Sequence, residues 1–335
     1  MFGKIKYYFR RLKKMSFKSF NETIEIAHKK SRKPKFILFI DLVYCSIRYG
    51  AGHLDYRNFK MYELNRHDRN MILTVGRNSN LIRKLNKKEY QDIFENKVLF
   101  YQNFSEYINR EYIKLDGNNL EEFKKFIKNK KYIIAKPIDG MCGKGVEKLE
   151  VNIKDASKTY DYLMKNKHIL VEEVATQCAE MAKLHPNSIN TIRIFTIVNK
   201  YHVFNVVGTY VRMGNEGRVV DNFNSGGLAC PIDIKTGIIT HKAVNKKNEY
   251  YEKHPVTNVK FIGYQIPQWD KVLELVKEAA LKIDEVRFVG WDVCIGPSGP
   301  FLIEANSFPG QDLYQLPKEN VGTYNIMVDA LKNKG

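Results

Sequence analysis

The sequence predicts an α+β fold in which two lobes follow a helical N-terminal extension. Helix-spaced apolar residues dominate roughly the first 130 positions. Strand and glycine-loop signals set in at Tyr132, and residues 290–306, GWDVCIGPSGPFLIEAN, read as a β-hairpin. Helices gathered in one part of a chain and strands in another are the pattern of an α+β protein.

Residues 1–31 read as helical. Phe2, Ile5, Phe9, Leu12 and Met15 recur at helical spacing, and Lys4, Lys6, Arg10, Arg11, Lys13, Lys14 and Lys18 fall in the first twenty residues without one acid. Such a segment suits an anionic membrane surface, or equally a helix packed on the protein body with its lysines in water. Residues 36–130 read as mainly helical with short strands, ending in a charged helix over 119–130. Residues 132–177 read as strand, glycine loop, strand, helix and strand, the make-up of a small lobe. Residues 188–306 alternate strands with one strong helix over 269–284, whose Val272, Leu273, Val276 and Ala280 form an apolar stripe expected in the core. These boundaries divide the chain into a basic N-terminal segment (1–34), a mainly helical domain (35–130), a small lobe with the glycine loop (131–177) and a C-terminal lobe (178–335).

Composition narrows the class. A chain of 335 residues with 44% hydrophobic content can bury a large core. Cys45, Cys142, Cys178, Cys230 and Cys294 form no Cys-x-x-Cys pair and are odd in number, which argues against a disulfide framework or a zinc site and for reduced thiols. No cleavable leader pattern is visible, and the apolar stretch 36–47 is interrupted by Asp41 and too short to span a bilayer. A cytoplasmic location is expected, with peripheral attachment to the inner face of a membrane as the reading the basic start allows. Lys and Arg (55) exceed Asp and Glu (37) by a net +18, but no nucleic-acid recognition motif accompanies them and no nucleic-acid partner is expected.

The chemistry-bearing residues begin with the hairpin. With its turn centred on Ser298, Asp292 lies as far before the centre as Glu304 lies after it, so the two carboxylates face each other and Asn306 shares their face. An all-oxygen set of this kind suits Mg²⁺, which takes one or two carboxylates and completes its shell with water and phosphate oxygens; the competing reading is a solvated acidic pair. Upstream, YIIAKPIDGMCGKGV (132–146) delivers Lys136 from a β-branched run into a loop holding Gly140, Gly143, Lys144 and Gly145. Glycines there let consecutive N–H groups hold phosphate oxygens, although a plain surface turn has the same composition, and the loop is no Gly-Lys-Ser/Thr phosphate loop. HILVEEVATQ (168–177) reads as a buried strand ended by Glu172 and Glu173, a hinge where backbone groups and a carboxylate can meet an adenosine. HPNSINTIRIFTIV (185–198) places Asn190, Thr191 and Arg193 at the start of another strand, and Arg193 requires an anionic partner, either a phosphoryl group or a structural carboxylate. DNFNSGG (221–227) is a polar, glycine-rich insert.

In this order the motifs resemble the ATP-grasp superfamily: a lysine before a glycine loop, a Glu-Glu hinge, an Asn-Thr-x-Arg strand, an Asn-rich Gly-Gly segment and a closing Asp…Glu-x-Asn. FILFIDLVYCSIRYGAGHLDYRNFKMYEL (36–64), HPNSINTIRIFT and DNFNSGGLACPIDIKTG resemble more narrowly the sugar-transfer-associated ATP-grasp family found with polysaccharide biosynthesis. The resemblance covers about residues 35–315. It implies an ATP-grasp fold with two α+β lobes gripping ATP, and ATP with Mg²⁺ as cofactors. It also implies that Lys97, in NKVLFYQNF, is the first ATP lysine, with Asn96 where an aspartate is frequent. Lys136 would contact the α and β phosphates, Gly143, Lys144 and Gly145 would close over them, and Glu172, Glu173 and Val174 would stand at the adenine hinge. Asp292, Glu304 and Asn306 match the metal ligands, and Arg193 and Asn224 would face the transferred phosphoryl group.

The activity so implied is ATP-dependent carboxylate–amine ligation through an acyl phosphate, acting on small-molecule carboxylate and amine substrates, some sugar-linked, in capsule or exopolysaccharide synthesis. It needs alignment and charge neutralisation more than covalent help from the protein. Two other classes stay open on the same residues: a phosphotransferase of the same fold, and a non-catalytic, nucleotide-gated binding module at a membrane.

Overall fold

The computed structural model describes residues 17–137, 145–215, 223, 226–315 and 322–335. The sequence-based readings of residues 1–16 as a basic helix, of Gly143 and Lys144 in the phosphate loop, and of Asn224 lie outside them. The chain divides into two compact units, residues 1–81 with 310–326, and residues 82–309 with 327–335.

The first unit is helical. Pro34, with φ −56° and ψ 139°, cannot itself continue a helix and starts the one over Lys35–Tyr49; Gly50 ends it in the left-handed conformation (φ 68°), its N–H bonded back to the last turn. Gly50 also receives the chain of Gly76, whose N–H donates to the Gly50 carbonyl at 3.0 Å. A Cβ on Gly76 would lie 2.6 Å from that oxygen, so only glycine fits. Asp55, 3% exposed, accepts the N–H groups of Gly52 (2.8 Å) and Val75 (2.9 Å) and the Gln311 amide (3.2 Å), tying the helix His53–Asn58 to the returning segment. Asp41 interrupts the apolar face of Lys35–Tyr49 for a structural reason. Arg69 grips it with both terminal nitrogens (2.6 and 2.9 Å), and the Tyr56 hydroxyl donates to it at 2.7 Å.

The second unit holds two antiparallel sheets. The smaller runs in the order β1 (Tyr112–Lys114), β4 (Leu170–Glu173), β2 (Tyr132–Lys136), β3 (Glu147–Glu150). The helices Leu120–Ile127 and Ala156–Lys165 cover it through Phe123, Ile127, Tyr160 and Leu163, packed on Ile133, Ala135 and Val171. This is the strand, loop, strand, helix, strand succession that the sequence predicts. The larger sheet runs, among the described residues, β11 (Gly299–Asn306), β10 (Phe288–Gly296), β5 (Thr191–Val198), β6 (Phe204–Met213), β7 (Leu228–Pro231), β8 (Ala243–Val244), β9 (Tyr250–Tyr251). Every residue of β5 and of β10 is buried, as befits central strands with both faces covered. The helix Trp269–Ala280 buries Val272, Val276 and Ala280, three of the four residues of its predicted stripe, while Leu273 sits half-buried at its edge. Among the described residues no helix is long and apolar enough to cross a membrane.

The hairpin β10–β11 corrects one expectation. Its turn is Pro297-Ser298, with Gly296 paired to Gly299, and an uninterrupted ladder from there would set Asp292 opposite Ile303. A β-bulge between Asp292 and Val293 absorbs one residue of β11, and Asp292 pairs with Glu304 after all.

Candidate functional site

The site lies wholly within the second unit. On the larger sheet one register line runs Glu304, Asp292, Arg193, Tyr210 across β11, β10, β5 and β6. Thr191 pairs with Arg212 two residues away, and Asn306 lies two residues beyond Glu304, so period-two alternation puts all of these side chains on one face. Arg193 bonds Asp292 bidentately, Nε to Oδ1 at 2.5 Å and a terminal nitrogen to Oδ2 at 2.8 Å. Arg212 adds a contact to Oδ2 at 2.8 Å and holds the Thr191 hydroxyl at 2.8 and 3.1 Å. Burial alone would raise the Asp292 pKa, but the charges of Arg193 and then Arg212 outweigh it and bring the carboxyl to about 2.

Glu304 differs from its neighbour. Its side chain is exposed, whereas Asp292 is 1% exposed. Loss of hydration and then the adjacent Asp292 carboxylate push it above the ordinary carboxylate range, and it forms no ion pair with a described Lys or Arg. The Asn306 side-chain oxygen accepts the Phe308 N–H at 2.7 Å. The described residues contain no group of three His, Cys, Asp or Glu side chains arranged for a metal. What they do contain, two carboxylates and an amide oxygen on one face, fits Mg²⁺, which keeps water and phosphate oxygens in its shell, rather than a fully protein-caged ion.

The smaller sheet contributes the lysine. Lys136 ends β2, and its ammonium sits 2.7 Å from the carboxylate of Glu172, which pairs with Ile134 on the same face. Glu172 is 2% exposed and also accepts Arg110 Nε at 3.1 Å. Burial favours its neutral form, Lys136 and Arg110 favour the charged one more strongly, and the pKa falls to about 2. Arg110 then reaches over to the larger sheet, donating to the carbonyls of Leu302 (2.9 Å) and Ile303 (3.1 Å) and to the Tyr101 hydroxyl. Ile303 is the residue the bulge inserts, so this guanidinium fixes the irregularity that turns Glu304 toward Asp292.

The remaining predicted residues fall as follows. Glu172 and Glu173, taken together from the sequence as hinge residues, point to opposite faces: Glu172 enters the buried ion network, while Glu173 is exposed, accepts the Glu111 N–H at 3.3 Å and leads into the half-buried Val174. Lys97 opens the helix Lys97–Phe104, and Asn96 caps it by accepting the N–H groups of Val98 (2.9 Å) and Leu99 (3.2 Å), the task an aspartate would also perform. The Ser307 hydroxyl donates to Glu95 at 2.9 Å, which brings this helix start to the end of β11. Gly145 has φ +74°, and a Cβ there would press on the Pro137 ring at 3.1 Å, so the glycine at the loop exit is required by the backbone. The Asn190 amide holds Gln177 (3.0 Å) and the carbonyls of Met181 (2.7 Å) and His185 (2.8 Å), fixing the approach to β5. Arg193, expected to face either a phosphoryl group or a carboxylate, has the carboxylate of Asp292. The sequence reading missed Arg110, Arg212 and Tyr101, none of which stands in a motif; only the register shows where they converge.

A family model described as sugar-transfer associated ATP-grasp matches residues 76–326, and no curated protein matches the chain. Among solved structures, D-alanine–D-alanine ligase from Bacillus anthracis is similar over 76% of this chain and 75% of its own, at 12% identity and TM-score 0.43. D-alanyl-alanine synthetase A from Vibrio cholerae is similar over 72% and 65%, at 13% identity and TM-score 0.43. Phosphoribosylamine–glycine ligase from Thermotoga maritima is similar over 74% and 55%, at 17% identity and TM-score 0.45. The chain thus spans somewhat less than two thirds of the length of the Vibrio protein. With the family match extending over most of its residues, the chain belongs to the sugar-transfer associated ATP-grasp family.

Proposed function

We propose that the protein is an ATP- and Mg²⁺-dependent carboxylate–amine ligase. The observation that carries the reading is the asymmetry of the cross-strand pair: Asp292 is neutralised by two arginines, while Glu304 beside it is left without a described cation and exposed to solvent. Two carboxylates this close repel unless positive charge is shared between them, and Arg193 and Arg212 lie on one side only. Glu304 and Asn306 would hold the metal, joined by Asp292 when Arg193 turns to a phosphoryl oxygen. Bound there, Mg²⁺ would neutralise charge on the transferring phosphoryl group.

The chain's own residues supply the rest. Lys97 and Lys136, with the glycines at 143 and 145 and Lys144, take the phosphates; a triphosphate competes with Glu172 for Lys136. Glu173 and the backbone at Val174 meet the adenine. Arg193 and Asn224 steady the phosphoryl group as the acid substrate's carboxylate attacks it, and an amine then displaces phosphate from the acyl phosphate to give an amide. The smaller sheet with its two helices and the larger sheet of the second unit divide these tasks. The substrates in this proposal are a small carboxylic acid and an amine, one of them sugar-linked, in capsule or exopolysaccharide synthesis, and residues 1–20 bring the enzyme to an anionic membrane where lipid-linked glycans are made.

The test is product analysis. Purified protein with ATP, Mg²⁺ and a panel of acids and amines is expected to release ADP and phosphate only when both substrates are present, and Glu304→Ala is expected to abolish release. Turnover persisting in that variant would remove the site. A stable phosphorylated product formed without an amine would instead establish the phosphotransferase, and tight ATP binding without turnover the binding module.

A further inference from the structure

The helix Lys35–Tyr49 is apolar on both sides. Leu38, Leu42, Cys45 and Tyr49 are buried in the first unit. On the opposite side Phe36, Phe39, Ile40, Val43, Tyr44 and Ile47 stand in solvent, with Phe36 and Ile47 each 66% and Ile40 63% exposed. At about 100° per residue these side chains share one arc along three turns of helix. Isolated exposed apolar residues are ordinary, whereas a continuous stripe of large ones marks an interaction surface.

The surroundings of the stripe are cationic. Exposed Lys29, Lys30, Arg32 and Lys33 immediately precede it and exposed Arg48 lies at its far end. Residues 1–60 carry fifteen Lys and Arg against four Asp and Glu, so most of the chain's positive excess is concentrated here. The acids are largely engaged: Glu25 pairs with Lys35, Asp41 with Arg69, and Asp55 holds backbone N–H groups. Two apolar occupants meet this charge unfavourably. A second copy docked stripe to stripe would bring like-charged rims together, and residues 1–16, with six cations and no acid, would add positive charge to a positive border.

We propose that the exposed face of Lys35–Tyr49 docks on an anionic lipid bilayer, the stripe entering the acyl boundary and the flanking lysines and arginines meeting the headgroups. The proposal is independent of the ligase reading and shares with the membrane reading of residues 1–20 only the partner.

Co-sedimentation of the full-length protein with phosphatidylglycerol/phosphatidylcholine vesicles tests it. Binding is expected to anionic vesicles, to weaken with salt, and to be slight on pure phosphatidylcholine. Ile40→Glu with Ile47→Glu, both at solvent-exposed positions, is expected to lower the partition coefficient roughly a hundredfold, the effect of withdrawing two aliphatic side chains from the membrane. Lys29→Gln, Lys30→Gln and Arg48→Gln together keep the stripe and are expected to reduce the preference for anionic over neutral lipid several-fold. A full-length variant with Lys4, Lys6, Arg10 and Arg11 changed to Gln is expected to keep stripe-dependent binding, which separates this surface from the N-terminal segment. The proposal is overturned if the wild type ignores anionic vesicles, if the Ile40/Ile47 variant binds as wild type does, or if the protein is a dimer that this variant turns into monomers.

Discussion

Replacing Glu172 by Gln removes one negative charge from between Lys136 and Arg110, and two routes give the cost. Glu172 has a pKa of about 2 in the fold against an ordinary 4.5. At about 1.36 kcal/mol per pH unit, its ionisation contributes about 3 kcal/mol to stability at neutral pH. From the other side, breaking a buried ion pair costs about 3–5 kcal/mol, with the lower end expected because Arg110 keeps Tyr101 and two carbonyls as partners. For a unit of this size the melting temperature should fall by about 6–12 °C at pH 7. Since the folded pKa is depressed, the contribution is complete above the ordinary value of 4.5 and fades as pH falls from there toward 2. Urea denaturation of wild type and Glu172→Gln across pH 3 to 8 should therefore show a gap that is constant near neutrality and narrows below pH 4.5. A gap under about 1 kcal/mol at pH 7, or one unchanged at pH 3, would refute the ion network as the source of stability.

Glu304→Gln acts in the opposite sense. Because loss of hydration and then the Asp292 charge raise its pKa, ionisation of Glu304 costs stability as pH rises through the raised value, an effect that solvent screening keeps small at this exposed side chain. The variant should be more stable than wild type by a few tenths to about 1 kcal/mol at pH 8, equal to it near pH 4, and without the Mg²⁺-dependent rise in melting temperature expected of wild type; calorimetry at both pH values reads this. Gly76→Ala places a methyl group 2.6 Å from the Gly50 carbonyl oxygen and 2.9 Å from its Cα, both backbone atoms, and should cost about 1–3 kcal/mol in equilibrium unfolding. Burial pushes the Cys45 thiol up to about 12, so mass-spectrometric mapping should find it alkylated by iodoacetamide only after denaturation.

Much of the site could be read from the sequence wherever period and turn chemistry are local. The two apolar runs about Gly-Pro-Ser-Gly-Pro gave the hairpin, and the Ile169–Val171 run gave the strand that carries Glu172. The pairing of Asp292 with Glu304 was also anticipated, but through an assumed turn at Ser298 whose error the bulge at Ile303 compensates. A bulge leaves no mark in composition, because it depends on the Arg110 bonds to Leu302 and Ile303, made across about 190 residues of chain. The separation of Glu172 from Glu173 onto opposite faces was available from strand alternation alone. Arg212 was not, since its place beside Asp292 follows from the β5–β6 register. In the first unit, the return of residues 310–326 to residues 1–81 depends on single long-range bonds such as Gln311 to Asp55, which no pattern near either residue announces.

Arg110 binds both sheets of the second unit through one planar group: a carboxylate on β4 by one edge and two carbonyls on β11 by the other. Any swing of the small sheet over the large one must turn about this guanidinium or break its bonds. Arg110 is thus the fixed point that holds the two sheets together, and its loss would free each from the other's register.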